Sequence, residues 1–394
     1  MYDVMNGVRV VEVAEHTFVP AAGMILADWG ADVIKVERAP GGDSSRYMKV
    51  PGAGGRINPF FETANRGKRG IALDLSQEAG REQLYRLIDQ ADVFMTNLRA
   101  DARIKLGIEP ADVLKRNPKI IYARGTGYGL RGAMAHDGGF DYASAWCRAG
   151  AGYKQSQMVD EPPMQPGSIG DLGGGMALAG AVAAALFRRE RTGKGAVVDG
   201  ALYLFGAYLM SQSLVAESAG LPPYPAWSHK DSQLPLVNNY KTRDGRWINL
   251  NLLMEKWWPD FVNHLERPDL LIDPRFKDAA ARHTNARALV EELDAIFATR
   301  DYADWCNRFK TLEGVWAPLQ SPMEVARDPQ ALENGFVTEV VIDEANRYLV
   351  GVSPAQFDEQ PIGALRSGPA FAQHTDEILR EAGLDAGAIA ALRA

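Results

Sequence analysis

The chain has 394 residues, of which 46% are hydrophobic and 24% charged, a composition typical of a folded globular protein with room for two domains. Its formal charge of -7 gives no reason to expect a nucleic-acid-binding face. The two cysteines, Cys147 and Cys306, exclude a disulfide framework, and we find no signal peptide and no run long enough to span a membrane. We therefore expect a cytoplasmic protein without a nucleic-acid or membrane partner.

Strands and helices alternate through the first third of the chain. A β-branched run at 7–14 predicts a buried strand, residues 21–29 a helix and residues 31–37 a second strand. This strand–helix–strand unit implies a parallel sheet. The alternation continues with strands at 69–75, 92–96 and 119–124 and helices at 77–90 and 104–115. The pattern predicts a doubly wound α/β layer with helices on both faces.

A dinucleotide-binding site is disfavoured. Glu37 ends the second predicted strand, where an acid that binds ribose would sit. However, residues 15–20, which follow the first strand, contain no Gly-x-Gly-x-x-Gly. Without that loop the backbone does not approach a pyrophosphate in the usual way.

A glycine-dense stretch at 165–176 carries one carboxylate, Asp171, and an apolar run at 176–187 follows it and predicts a buried helix. Asp171 then lies at or just before a helix N-terminus. It is either an N-cap, which is a common role for aspartate, or a nucleophile surrounded by backbone N–H groups that stabilise negative charge. Spacing alone favours the N-cap.

The composition changes after the large α/β region. Residues 191–199 predict a turn and a strand, residues 201–219 a helix, and the three prolines within 221–227 a linker. A hairpin at 239–251, which turns at Asp244 and Gly245, precedes helices at 256–265, 285–298 and 302–312. We expect a large domain at 1–227, a small α+β domain at 228–325 and a segment at 326–394 that returns to the large domain and ends in a helix at 371–383.

Seven segments, taken in order, resemble the class III CoA-transferases of the CaiB/BaiF group: residues 7–13, 27–38, 65–75, 169–175, 192–195, 273–276 and 374–379. The resemblance covers nearly the whole chain. It implies a Rossmann-like large domain, a smaller domain and a homodimer of interlocked chains. It also implies coenzyme A (CoA) thioesters as substrates, with no permanently bound cofactor and no metal.

The resemblance places the family's nucleophilic aspartate at Asp171. It implies that CoA passes from an acyl-CoA thioester to a free carboxylic acid through a covalent aspartyl intermediate. It also implies a set of CoA-binding residues: Arg38 and Lys105 at phosphates, Leu73 and Leu75 beside the adenine, Asn97, Leu98 and Arg99 along the same groove, and Thr17 and Phe18 in the loop that touches the CoA arm. Without the resemblance, the cations among them are better read as solvated surface residues.

Two alternatives stay open. Related racemases of 2-methylacyl-CoAs have a Gly-His-Asp motif, and the matching residue here is Phe140, which cannot move a proton. Racemisation is therefore disfavoured. A catalytically silent CoA-binding protein is the other alternative, and the intact stretch around Asp171 argues against it.

The acceptor is expected to be a large or apolar monocarboxylic acid. A dicarboxylate would bring a second charge that needs a cation once buried, whereas the segments that the resemblance brings to the active site are apolar: Trp146, Tyr153, Pro162, Pro163, Met164, Pro166, Trp257 and Trp258. The alternative is that these side chains pack a dimer interface.

Overall fold

The computed structural model describes residues 1–49, 57–156, 161–221 and 228–392. The chain forms two compact units. The first comprises Met1–Tyr153, Pro163–Ala219 and Asp328–Ala394, and the second comprises Lys154–Pro162 and Gly220–Arg327. Apart from Leu221, the predicted linker lies outside the described residues, as does the predicted boundary at residue 227.

The first unit is built on a parallel sheet of six strands. In chain order these are β1 (Arg9–Val13), β2 (Asp32–Arg38), β3 (Arg69–Leu73), β4 (Val93–Thr96), β5 (Ile121–Thr126) and β6 (Ala196–Ala201). Across the sheet they lie in the order β3, β2, β1, β4, β5, β6, and every neighbouring pair is parallel. The predicted α/β fold with a parallel sheet is confirmed.

The helices that connect these strands and follow them are α1 (Phe18–Asp28), α2 (Pro59–Asn65), α3 (Glu78–Asp89), α4 (Ala100–Leu106), α5 (Pro110–Arg116), α6 (Ala151–Ser156), α7 (Ile169–Thr192), α8 (Leu202–Leu209) and α9 (Ser211–Ser218). The segment at 104–115 is mostly helical, as predicted, but it is divided between two helices. Gly107 adopts a left-handed conformation that ends α4, and Pro110 starts α5 in its first turn.

The second unit contains an antiparallel sheet of β7 (Val237–Lys241), β8 (Trp247–Asn251) and β9 (Val315–Pro318). Its helices are α10 (Trp258–His264), α11 (Ala279–Thr284), α12 (Ala286–Phe297), α13 (Tyr302–Arg308) and α14 (Pro322–Val325). Trp258, Phe297, Trp305 and Phe309 fill its core. The rest of the chain adds α15 (Pro329–Glu333), a hairpin of β10 (Val337–Asp343) and β11 (Asn346–Gly351), α16 (Thr375–Glu381) and α17 (Ala386–Ala391).

Alternate residues of the parallel strands feed two separate hydrophobic cores, because successive side chains of a strand point to opposite faces. Val10 and Val33 pack with α1 and α7 on one face. Val11 and Ile34 pack on the other face with side chains of α3, α5 and α16. The helix pair α1 and α7 thus forms a buried layer that ends at the carboxyl edge of the sheet.

Among the described residues, α7 is the one helix whose length and composition would allow it to cross a membrane. Leu178, Ala179 and Val182 on this helix are instead buried in the core beside α1 and the sheet. This part of the helix therefore contributes to the hydrophobic core of the first unit.

Candidate active site

Asp171 lies in the first turn of α7, which begins at Ile169 with Ser168 as its N-cap residue. Both the N-cap interpretation of Asp171 and the predicted helix start at residue 176 are therefore wrong. The stretch that was predicted to be a glycine-dense loop is helical from Ile169 onward. Its glycines serve the packing of this helix against its neighbours.

Three consecutive glycines bring neighbouring side chains against the start of α7. A Cβ atom at Gly173 would lie 2.3 Å from the ring of Phe205, and one at Gly174 would lie 2.9 Å from the ring of Phe18. A Cβ atom at Gly175 would lie 2.9 Å from the carbonyl oxygen of Phe18 on α1. The glycines thus seat α7 directly on α1 and hold Asp171 at the carboxyl edge of the sheet.

Asp141 anchors the same helix start. Its Oδ2 accepts a hydrogen bond from the backbone N–H of Asp171 at 3.1 Å, and its side chain is buried. A Cβ atom at Gly170 would lie 2.1 Å from Oδ1 of Asp141, so this contact needs glycine. The candidate site residues did not include Asp141. Its position directly after Phe140, in the stretch that matches the racemase motif, was the signal in the sequence.

Burial raises the pKa of Asp171 to about 7, and the negative charge of Asp141 adds to the effect. Burial also raises the pKa of Asp141. Within the part of the chain that the structure describes, the Asp171 carboxyl accepts no hydrogen bond and forms no ion pair. It is a weakly solvated carboxyl group whose oxygens are free to react.

A cavity of about 500 Å³ opens in front of Asp171. Its walls include Phe18 of α1, the segment after β4 with Asn97, Leu98 and Arg99, and residues of the loop at 135–140. Five of the ten predicted site residues therefore line one cavity: Phe18, Asn97, Leu98, Arg99 and Asp171.

A second cavity of about 220 Å³ is lined by Arg38 and Leu75, and it shares Leu98 and Glu15 with the first. Three predicted site residues line neither cavity. Thr17 is the N-cap residue of α1 without a capping side-chain bond, and Leu73 is buried in the core beside α3. Lys105 is exposed on α4.

The cations that line the two cavities or were predicted to bind CoA fall into two groups. Arg103 and Arg124 are buried and each contacts Glu109, and Arg124 also bonds Asp199 at 2.9 Å. Arg38, Arg99 and Lys105 are exposed and form no ion pair with another described residue, so their charges are available to a ligand. No cluster of three or more potential metal-ligating side chains is found in the described ranges.

The side chains of the first unit that were expected around the acceptor do not line the cavity of Asp171: Trp146, Tyr153, Pro163, Met164 and Pro166. Trp258 is 2% exposed and packs in the core of the second unit under Arg282, so its predicted place beside the nucleophile is wrong. Trp146 donates its indole N–H to the carbonyl oxygen of Pro163. The cavity is instead rich in charge, with Glu15, Arg99 and Asp137 among its walls.

Comparison with known proteins connects this geometry to a family. The sequence profile of CoA-transferase family III matches residues 5–375. The (R)-2-hydroxy-4-methylpentanoate CoA-transferase of Clostridioides difficile is 30% identical over 388 residues, which cover 97% of this chain and 96% of that protein. The succinyl-CoA:glutarate CoA-transferase of Mus musculus is 29% identical over 378 residues, which cover 96% of this chain and 86% of that protein.

A solved structure gives the same result. The crystal structure of a CaiB/BaiF family protein from Brucella suis matches with a TM-score of 0.81 and 26% identity, over 96% of this chain and 99% of that one. The resemblance inferred from the seven segments is confirmed. The chain belongs to CoA-transferase family III.

Proposed function

We propose that Asp171 is the nucleophile through which this family III enzyme moves CoA from an acyl-CoA thioester to a free carboxylic acid. The observation that carries the proposal is the state of the Asp171 carboxyl. It lines a cavity of about 500 Å³, and its oxygens have no hydrogen-bonding partner among the described residues. A carboxylate without donors keeps its lone pairs available for attack.

The reaction then runs through three covalent states of Asp171: a mixed anhydride with the donor acid, a thioester with CoA and a mixed anhydride with the acceptor acid. Its carboxylate attacks the thioester carbonyl, the C–S bond breaks, and a mixed anhydride and CoA thiolate form. The thiolate attacks the Asp171 carbonyl, which gives an aspartyl-CoA thioester and releases the donor acid. The acceptor carboxylate attacks the aspartyl carbonyl of that thioester, the C–S bond breaks, and a second mixed anhydride and CoA thiolate form. The thiolate then attacks the acceptor carbonyl, which gives the new acyl-CoA and frees the Asp171 carboxylate. Each bond lies between Asp171, CoA and the two acids, so the chemistry needs no metal and no bound cofactor.

The CoA moiety is proposed to lie along the two cavities that share Leu98. Arg38 and Lys105 would bind phosphates, for which exposed cations without protein partners are suited. Leu75, beside Arg38, would contact the adenine. Leu73 would support this site from the core rather than touch the ligand, because it is only 5% exposed. Asn97, Leu98, Arg99 and the loop with Thr17 and Phe18 would border the arm that leads to Asp171.

We also propose that the enzyme is a cytoplasmic homodimer of interlocked chains. Exposed apolar side chains on α8 and α9 support a partner chain, since monomers rarely expose apolar patches of this kind: Leu204, Tyr208, Leu209, Leu214 and Val215. In this proposal residues 1–227 form the CoA-binding domain, residues 228–325 a small domain, and residues 326–394 complete the large one.

The alternative of 2-methylacyl-CoA racemisation is disfavoured by Phe140, which lines the cavity where an acid–base residue would be required. A silent CoA-binding protein is disfavoured by the unpartnered Asp171 carboxyl, since burial without donors has no structural benefit.

The test is a panel of acyl-CoA donors and free acids, including 2-hydroxy-4-methylpentanoate and glutarate, with mass-spectrometric detection of new thioesters. We expect transfer by the wild type and a loss of at least about 10⁴-fold in Asp171→Asn, since an amide is a far weaker nucleophile. Hydroxylamine added after the donor alone should modify Asp171. Near wild-type turnover by Asp171→Asn would disprove the covalent role.

A further inference from the structure

His16, between β1 and α1, has a φ angle of +64°. This left-handed conformation is uncommon for residues other than glycine. Glycine would adopt it without strain. The chain therefore keeps an imidazole at a position where backbone conformation alone would favour its removal, which points to a use for the side chain.

The backbone at His16 is held by a buried carboxylate. Oδ1 of Asp43 accepts the backbone N–H of His16 at 3.1 Å, and Asp43 is 1% exposed. The other oxygen of Asp43 lies 2.8 Å from the ammonium group of Lys35, which is also fully buried. The backbone of His16 is thus tied to a buried ion pair. A change to an ordinary backbone conformation would break the hydrogen bond from its N–H to Asp43.

The same charge cluster fixes both ends of the loop. Lys35 donates to the carbonyl oxygen of Ala14 and Lys68 to that of Pro20, each at 2.9 Å. Both ammonium groups contact the buried carboxylate of Glu12. The segment between residues 14 and 20 is therefore preorganised before any ligand binds.

The imidazole is oriented by a short hydrogen-bond chain. Ser44 donates its only hydroxyl hydrogen to Glu15 at 2.8 Å, because a carboxylate can only accept. Ser44 therefore accepts from Nε2–H of His16 at 3.2 Å. The other ring nitrogen, Nδ1, has no hydrogen-bonding partner in the described part of the chain, while the ring rests edge-on against Phe140 at 5.4 Å.

His16 and Asp171 line the same cavity, yet they share no hydrogen bond or ion pair. We infer that the ligand binds in the space between the imidazole and the carboxyl group. During transfer, the atom that must leave and return beside Asp171 is the sulfur of CoA, which carries a full negative charge while it is free.

We propose that His16 is a further catalytic residue, whose protonated imidazole donates Nδ1–H to the thiolate sulfur of CoA between its departure and its return. The proposal rests on Asp171 as the covalent carrier. A neighbouring imidazolium stabilises thiolates in proteins, and a fixed donor is most effective where charge develops during the reaction.

The step balances without a co-reactant. When the thioester C–S bond breaks, its electron pair stays on sulfur, and the resulting negative charge pairs with the imidazolium. When sulfur attacks the Asp171 carbonyl, that pair forms the new C–S bond, and the donor carboxylate leaves with the electrons of the anhydride bond. His16 keeps its proton throughout.

Charged groups surround the ring and the space that it faces. Glu15 acts through Ser44, Asp43 bonds the backbone, and Asp137, Arg99 and Asp171 share the cavity.

The experiment uses the full-length enzyme and two variants, His16→Asn and His16→Gly. Both residues tolerate the left-handed conformation, so the fold is kept while the charge is removed. We expect kcat for transfer to fall about 10- to 1000-fold, with a donor KM within about threefold of the wild type. The unfolding midpoints of both variants should be unchanged or higher. Exposed His283→Asn serves as the control for loss of an imidazole elsewhere.

A donor-only reaction separates the possible outcomes. In the wild type, mass spectrometry should find CoA attached to Asp171, whereas the His16 variants should release CoA, measured with a thiol reagent, and form the adduct slowly. Adduct formation at the wild-type rate, a rise in KM alone, or loss of activity only with loss of stability would each overturn the role of His16. Absence of an Asp171 adduct in the wild type would instead refute the proposed function itself.

Discussion

Two carboxylates, Asp141 and Asp171, lie close together at the start of α7. Asp141 accepts the backbone N–H of Asp171 and fixes where the helix begins, but its charge opposes the ionisation of Asp171. Asp141 thus fixes the position of Asp171 and at the same time makes the ionisation of Asp171 less favourable. A buried carboxylate with few donors is a better nucleophile than a solvated one, although less of it is ionised at neutral pH.

This balance predicts the pH dependence. In the proposed mechanism only the ionised Asp171 attacks, so kcat should rise with pH through about 7. Asp141→Asn keeps an oxygen for the N–H bond and removes the charge, so the midpoint of this rise should shift to lower pH, as measured by transfer rates from pH 5 to 9. Because the pKa of Asp171 in the folded protein is raised above its usual 3.8, the free energy of unfolding falls as pH rises from about 4 to about 7. Asp171→Asn should therefore be more stable than the wild type at pH 8 and not at pH 4. A midpoint that Asp141→Asn leaves in place would contradict the pairing.

The unpartnered cations make a separate prediction about substrate binding. Arg38→Ala and Lys105→Ala should each raise KM for the CoA thioester by about 5- to 150-fold, the loss of a charge-assisted contact of about 1–3 kcal/mol, with kcat little changed. The effect should shrink with a donor that lacks the 3′-phosphate of CoA. Equal losses with both donors would mean that neither residue binds that phosphate.

Among the secondary-structure elements, α7 has to satisfy two opposing demands. Its first two turns must lie close enough to α1 to hold Asp171 at the edge of the sheet, which requires small residues, yet glycine weakens a helix interior. Apolar residues further along, such as Leu178 and Val182, compensate by packing in the core. The helix is therefore stabilised at its middle and shaped by glycine at its functional end.

Matched substitutions in this helix test that division. Gly175→Ala would bring a Cβ atom to 2.9 Å from the backbone oxygen of Phe18, so we expect a loss of about 1–3 kcal/mol in the free energy of unfolding and a drop in kcat. Gly180→Ala meets no atom within 4 Å and should stabilise the enzyme by about 0.5–1 kcal/mol with normal activity. Denaturant unfolding measures both. Equal changes in the free energy of unfolding at the two positions would show that helix propensity, rather than packing, determines the effect of the substitutions.

At the scale of the whole molecule, the exposed apolar side chains of α8 and α9 are the feature that a single chain leaves unexplained. We expect Leu214→Glu to weaken the proposed homodimer. Leu214 is 57% exposed in the single chain, and a glutamate at this position would place a charge in the interface. Light scattering after size-exclusion chromatography should show a dimer for the wild type and a shift toward monomer, with reduced transfer, for the variant. A wild-type monomer, or a variant that stays fully dimeric, would contradict this surface as the interface.

The amino-acid sequence by itself determined the parallel sheet, since runs such as 7–14 and 31–37 have the β-branched composition and the spacing of a strand–helix–strand unit. It also determined the family, because seven segments match in order. Only the tertiary structure showed that the stretch around Asp171 is helical. Its glycines, which predicted a loop, are explained by the close approach of Phe18 and Phe205 to the helix. It likewise placed Trp258 in the core of the second unit, Asp141 beside Asp171, and His16 on the wall of the cavity that Asp171 lines. These assignments depend on which distant segments come together at the carboxyl edge of the sheet, and local propensity carries no information about contacts between residues so far apart in the chain.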